Sequence, residues 1–172
     1  MKNILLFAVI ILFSACKTKE VSPTFANIPD ANFEKYLIDE KIDKDGVVNG
    51  RMNLDDAKGV TEIYVSQRQI KSLAGIEAFI DLQILYCSDN QLAVLDVSKN
   101  INLQTLDCFA NQLTVLDVSK NVDLLYFWCY NNPIKTICVA DITKANISIS
   151  TKDTFGDFYW RKGQTATYEV CK

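Results

Sequence analysis

The chain says nearly the same thing twice: residues 82–102 and 103–123 are both 21 residues long and identical at 14 of those 21 positions. Their shared frame is L-Q-x-L-x-C-x-x-N-Q-L-x-V-L-D-V-S-K-N. A third copy starts at Leu124 and decays, keeping Leu124, Phe127, Cys129, Asn132, Ile134, Ile137 and Val139 while its polar positions drift. A degraded copy precedes them, with Ile63, Val65, Ile70 and Leu73 in the matching places and Arg68 where the asparagine should stand. A period of roughly 20 to 29 residues predicts a solenoid in which each copy is one coil, because one copy alone cannot bury its apolar side.

Within each coil the Leu-x-x-Leu-x-Cys segment reads as a short strand, and side chains alternate across a strand. Leu85, Leu106 and Phe127, then Cys87, Cys108 and Cys129, are therefore expected to point into the core. Stacked rungs make a parallel sheet, with identical residues roughly 4.8 Å apart in columns. Asn90, Asn111 and Asn132 are expected to turn inward where the chain leaves the strand, since a buried amide must be paired and the bend strips backbone groups of partners. Leu92, Leu95 and Val97 close the core on the return, and Asn121 is expected on the outer part of its coil. Three cysteines pointing the same way along a stack, with no histidine in the chain, do not make a zinc site. Buried free cysteine packs as a small hydrophobe, and that is the expectation for this column.

The frame Leu85-x-Cys87-x-x-Asn90-x-Leu92, with the run Leu116-Asp117-Val118-Ser119-Lys120-Asn121, resembles bacterial surface leucine-rich-repeat proteins of the internalin J kind. The resemblance covers residues 60–139. It implies an α/β solenoid: a short leucine-rich-repeat horseshoe, its parallel sheet four to five rungs long, with a helical N-terminal cap and a small C-terminal cap. A fold of this kind hosts many functions, so the likeness bears on architecture first.

Residues 1–15 read as a processing segment, with Lys2, an apolar run from Ile4 to Phe13, and the small pair Ser14-Ala15 before Cys16. The run is too short to span a bilayer and reads as a signal peptide. Its small-small-Cys ending resembles the lipobox of bacterial lipoproteins, which makes Cys16 the lipidated first residue of the mature chain; plain secretion is the alternative. Residues 16–27 then form a tether, and the whole implies an outer-membrane lipoprotein exposed on the bacterial envelope.

Residues 28–59 are expected to cap the first rung. Asp30 can N-cap a helix whose apolar side carries Phe33, Leu37 and Ile38. Asn53 opens a second short helix, with Asp56 placed to complete a capping box and Gly59 to end it. The opening Ile28-Pro29-Asp30-x-Asn32-Phe33 also resembles the segments that precede bacterial repeats of this type. Between the helices, residues 43–50 contain Asp43, Asp45, Gly46, Asn49 and Gly50. An EF-hand loop starting at Asp43 would need an oxygen ligand where Val47 stands, glycine where Val48 stands and glutamate where Leu54 stands. The loop is therefore read as a polar turn, and no metal or cofactor is expected.

Beyond Val139 the period is lost, and residues 140–172 read as the C-terminal cap. Cys138 and Cys171 lie outside the cysteine column at the entry and exit of that cap, where an exported protein can oxidise them to a disulfide.

By the alignment of copies, the strand residues that do not point inward are Glu62, Tyr64 and Ser66; Ile84, Tyr86 and Ser88; Thr105, Asp107 and Phe109; Tyr126, Trp128 and Tyr130. Six of these twelve are aromatic, against 10 per cent of the chain, an excess that marks a contact surface. Tyr64, Tyr86, Asp107, Phe109, Tyr126, Trp128 and Tyr130 are accordingly the expected binding residues on the concave face. Lys99 and Lys120 fall on the opposite side. The expected partner is a protein or a glycan.

The alternatives narrow by chemistry. Without histidine there is no Ser-His-Asp or Cys-His arrangement, and Asp107 stands alone among the three clear copies, so no carboxylate pair flanks one groove. Enzyme is the disfavoured class. The chain carries 18 basic and 21 acidic residues, and loss of Lys2 with the leader leaves it near −4, which argues against nucleic acid. A structural envelope lipoprotein without a specific ligand is the competing reading, since aromatic pairs also stabilise sheets.

Overall fold

The computed structural model describes residues 24–141, 160–161 and 166–171. Strand β1 (Phe25–Asn27) is followed by helix α1 (Ala31–Asp39) and strand β2 (Arg51–Asn53). The repeats supply β3 (Glu62–Tyr64), β4 (Ile84–Tyr86), β5 (Thr105–Asp107), β6 (Leu116–Asp117), β7 (Tyr126–Trp128) and β8 (Thr136–Val139). The strands β9 (Trp160–Arg161) and β10 (Thr167–Val170) come last. One parallel sheet runs β3-β4-β5-β7-β9, a second runs β6-β8-β10, and β1 pairs antiparallel with β2. This is a parallel-sheet β-solenoid of about four turns, with its core between the two parallel sheets.

The register follows the copies: Leu85 pairs with Leu106 and Leu106 with Phe127, so like residues form columns. All three are fully buried, as are Cys87, Cys108 and the return residues Leu92 and Val97. Helix is absent from the returns, whose strands and short 3-10 turns are too brief to hold one; α1 is the only α-helix among the described residues. The description is therefore a β-solenoid rather than an α/β one.

Each coil turns on a residue in the left-handed region: Gln67, Asp89, Ala110 and Asn131 have φ between 52° and 61°. None is glycine, although such backbone costs an ordinary residue about 1–2 kcal/mol. The next residue holds the bend. Asn111 Nδ2 donates to the Cys87 and Cys108 carbonyls at 3.0 and 3.1 Å, and its Oδ1 accepts from Leu92 N at 3.0 Å. Asn90 and Asn132 make the equivalent bonds one coil earlier and later. Each amide thus stitches its own strand end to the preceding coil.

Asn121 does not lie on the outside. It is 4% exposed, and Asn100 is fully buried, so the Ser-Lys-Asn corner forms a second asparagine ladder. Asn121 Nδ2 donates to the Val97 and Asn100 carbonyls at 3.0 and 2.8 Å; Asn100 Nδ2 reaches Ile76 and Phe79 in the coil before. The two ladders differ in what their loss would strand. The Val97 and Asn100 carbonyls also accept from the backbone of Asn100 and Leu103. Leu92 N–H, in contrast, has no other acceptor among the described residues. Asn111→Ala is therefore expected to cost about 1–3 kcal/mol, the penalty for an orphaned buried donor. Asn121→Ala should cost less, because its carbonyls keep a partner. A denaturant titration of both variants checks this, and an equal or reversed order would refute it.

At the N-terminal end Asp30 serves two structures at once. Its Oδ1 accepts from Asn32 N and Phe33 N and caps α1, while Oδ2 accepts from Lys71 N and Ser72 N of the first coil. Phe33 and Leu37 are buried, with Ile38 only partly so. Tyr36 lies on the same side, and its hydroxyl accepts from Tyr64 N at the edge of β3 at 3.0 Å. Arg68, which stands at the ladder position of the first coil, places its guanidinium over the Tyr36 ring at 4.8 Å.

Two expectations fail here. Asn53 does cap a short 3-10 helix, Leu54–Ala57, but Asp56 does not complete a capping box. Its carboxylate accepts from Lys44 N and pairs with Lys44 Nζ at 2.8 Å, because the loop folds back over it. The expected tether also ends early, since Phe25–Asn27 is already a strand paired with β2.

Candidate functional site

The register of β3, β4, β5 and β7 sets the outward residues of the long sheet in rows. Glu62, Ile84, Thr105 and Tyr126 form one row; Tyr64, Tyr86, Asp107 and Trp128 form the next. In backbone register, Arg161 of β9 pairs with Trp128 at the end of the sheet. By the repeat, Ser66, Ser88, Phe109 and Tyr130 follow where the chain leaves the strands.

The rings associate in three pairs. Tyr64 and Tyr86 meet edge to face at 5.3 Å between centroids. Phe109 and Tyr130 stack at 4.8 Å with planes 2° apart, and Tyr126 stacks on Trp128 at 5.9 Å. Tyr64 and Tyr126 are exposed, while Tyr86, Phe109, Trp128 and Tyr130 are half-buried. Aromatic pairs in these geometries are worth about 0.5–1.5 kcal/mol beyond the area they bury.

Polar groups on this face are few. Tyr64 Oη donates to Glu62 Oε2 at 2.7 Å, and the Ser66 and Ser88 hydroxyls are 2.8 Å apart. Ser88 and Thr105 are themselves buried. Asp107 is partly buried; its Oδ1 accepts weakly from Phe109 N at 3.4 Å, and Ser88 donates to its side chain. Burial pushes the Asp107 carboxyl up to about 6. Burial, then the neighbouring Asp107, raises the Tyr86 phenol as well.

Most other chemical groups have structural partners; buried Asp43 Oδ2 has none among the described residues. Cys87, Cys108 and Cys129 are buried thiols outside the disulfide, and burial drives the Cys87 and Cys108 thiols well above their ordinary range. Cys138 and Cys171 are bonded to each other. In the turn of residues 43–50, Glu34 gathers the N–H groups of Asn49, Gly50 and Arg51, and Asp45 accepts from Val47 N and Asn49 Nδ2. Gly46 and Gly50 have φ of 70° and 82°. Among the described residues no group of three or more His, Cys, Asp or Glu is placed to hold a metal ion. Cys16 and the signal segment lie outside the described residues.

A second apolar surface was not anticipated. Val94 and Val115 stand in one column on the return side, 74% and 66% exposed, and Ile80, Ile101 and Val122 form another. The frame contains these positions, but a run such as Val94-Leu95-Asp96-Val97 does not say which of its apolar members face out. Clefts of about 360 and 350 Å³ lie on that side, the first reaching Ser72, Glu77 and Lys99, the second Asp96 and Asp117. Neither is lined by the aromatic rows.

No family model matches the chain, and no curated protein matches it either. Solved structures do. The functional domain of InlJ from Listeria monocytogenes, which includes a cysteine ladder, is 23% identical with a TM-score of 0.57. The match takes in 86% of this chain and 28% of that one. An internalin of the same species, InlF, is 15% identical with a TM-score of 0.55, over 84% of this chain and 45% of its own. This chain therefore has the leucine-rich-repeat solenoid fold of those internalins, with a cysteine ladder at Cys87, Cys108 and Cys129.

Proposed function

We propose that the chain is a surface recognition or adhesion module that takes a protein or glycan partner on the aromatic concave face of its long sheet. The observation that carries this reading is the three ring pairs along one face, two bridging neighbouring rungs and one within β7, with four of the six rings only half-buried. Four or five rungs make a face about 20 Å long, which suits a peptide segment, a protein edge or a few sugar units. The internalin fold is consistent with it. On this reading α1 and the segment after Val139 act as caps, and the role is binding rather than catalysis.

Truncating a well-buried aromatic anchor typically costs more than about 2 kcal/mol of binding, whereas rim residues cost little. Trp128→Ala or Tyr130→Ala is expected to weaken partner binding at least tenfold with the fold intact. Substitution of Lys99 or Lys120 should leave binding nearly unchanged. Surface plasmon resonance against candidate envelope or host proteins and glycans reads both. If the lysine variants fail while the aromatic variants bind normally, the working surface is the return side with its valine column, and this assignment is wrong.

The same reading places the chain on the bacterial envelope as an outer-membrane lipoprotein, anchored through Cys16. Intact-mass analysis of membrane-extracted protein should then show di- or triacyl additions on Cys16 as the first residue, and Cys16→Ser should block maturation or release the protein. Unmodified Cys16 on membrane-bound protein would sink the idea.

A further inference from the structure

Asp107 is an unusual residue to find where it stands. It occupies the second outward row between Tyr86 on one side and Trp128 on the other, in direct register with both. None of the ion pairs among the described residues uses it. Its partners are the Ser88 hydroxyl and the Phe109 N–H, both neutral. A carboxylate that is partly buried without a countercharge is unfavourable, and that desolvation is what lifts its proton affinity.

We infer that this row is a socket for a basic side chain, with Asp107 as the countercharge on its floor and Tyr86 and Trp128 as its walls. The inference rests on the recognition reading above and deepens it by naming the partner's chemistry: a protein segment presenting lysine or arginine, rather than a glycan. One observation and two physical arguments converge. The twelve outward positions of β3, β4, β5 and β7 and their exits include two acids, Glu62 and Asp107, and no base. Aromatic faces attract a cation held within about 6 Å of the ring. Two strand spacings separate the walls by about 10 Å, which leaves room for an ammonium or a flat guanidinium between them and above the carboxylate.

Among the described side chains, the titratable groups that would feel a bound cation are neutral or acidic. Glu62 lies on β3, Tyr86 on β4 with Asp89 beyond it, Tyr126 and Trp128 on β7, and Cys87 and Cys108 behind in the core. In backbone register Arg161 pairs with Trp128, two strands from Asp107. A cation on Asp107 favours its ionised form, so binding and proton release are linked. Binding should be strong above about pH 7 and fade towards pH 5, as Asp107 takes up its proton near 6.

The test uses the full-length protein and an array of short neutral peptides with one central residue varied among arginine, lysine, citrulline and acetyl-lysine, beside a glycan array. The expected result is at least a tenfold preference for arginine or lysine over the uncharged analogues at pH 7.5. That preference should vanish in Asp107→Asn and persist in Asp123→Asn, an exposed acid on the same coil. It should also shrink severalfold at pH 5. Failure to prefer the cationic peptides, or a preference that survives Asp107→Asn, overturns the socket. Glycan or neutral-peptide binding that Trp128→Ala removes and Asp107→Asn does not would overturn the socket alone, leaving the recognition face in place.

Discussion

Phe127→Ala is expected to lower the unfolding free energy by about 3–5 kcal/mol, the usual cost of emptying a large aromatic site in a core. Phe127 is fully buried in the inward column that runs Ile63, Leu85, Leu106, Phe127 through the long sheet. Its neighbour Trp128 points the other way, and Trp128→Ala should cost well under half as much. The pair tests the alternation of the strand directly, since adjacent side chains lie on opposite faces of a sheet. Typical domains hold only about 5–15 kcal/mol in total, so Phe127→Ala could fail to fold. Phe127→Leu keeps most of the volume and should cost less, giving a measurable series by chemical denaturation. If Phe127→Ala and Trp128→Ala destabilise equally, the inward column is misassigned.

Reducing the Cys138–Cys171 bond, or replacing Cys171 by serine, is expected to cost about 3–4 kcal/mol. The bridge closes a loop of 33 residues, and its stabilisation comes chiefly from restricting the unfolded chain. It fastens the strand end of β10 beside β8, which it pairs with in parallel register from Thr167↔Thr136 to Val170↔Val139. Thermal unfolding with and without reductant measures the loss. Cys87, Cys108 and Cys129 should meanwhile resist thiol reagents in the native state and react only on unfolding, because burial suppresses the thiolate that does the chemistry. A bridge within the ladder, or an unpaired Cys171 in protein purified without reductant, would contradict this.

Much of this architecture is legible in the chain because the repeat is read twice. Two copies identical at 14 of 21 positions impose a register, and the strand then assigns Leu85, Cys87, Leu106, Cys108, Phe127 and Cys129 inward and their neighbours outward. Asn90, Asn111 and Asn132 are legible for the same reason: each closes a strand at the point where backbone groups lose partners. The Asp30 cap was likewise readable, being a local interaction two and three residues long.

The failures share one cause, which is that they depend on contacts between coils or across long stretches of chain. Asn100 and Asn121 sit in a polar Ser-Lys-Asn run, and only the stacking of coils shows that their amides face carbonyls 21 to 24 residues back. Asp56 lies three residues after Asn53, yet it binds Lys44, twelve residues away, because the loop of residues 43–50 brings that ammonium to it. Local spacing favours the nearer partner; the folded loop offers a charged one.

What the sequence alone determined is the period, the parallel register and the face of each strand residue, because these follow from alternation and repetition along the chain. Tertiary structure decided which corners carry a second ladder, which valines stay in water, and how Tyr36 and Asp30 of one segment clasp the first coil. It also decided the setting of Asp107. Its position in the frame was visible, but its partial burial between Tyr86 and Trp128 without a countercharge arises only when three separate coils are stacked within about 10 Å.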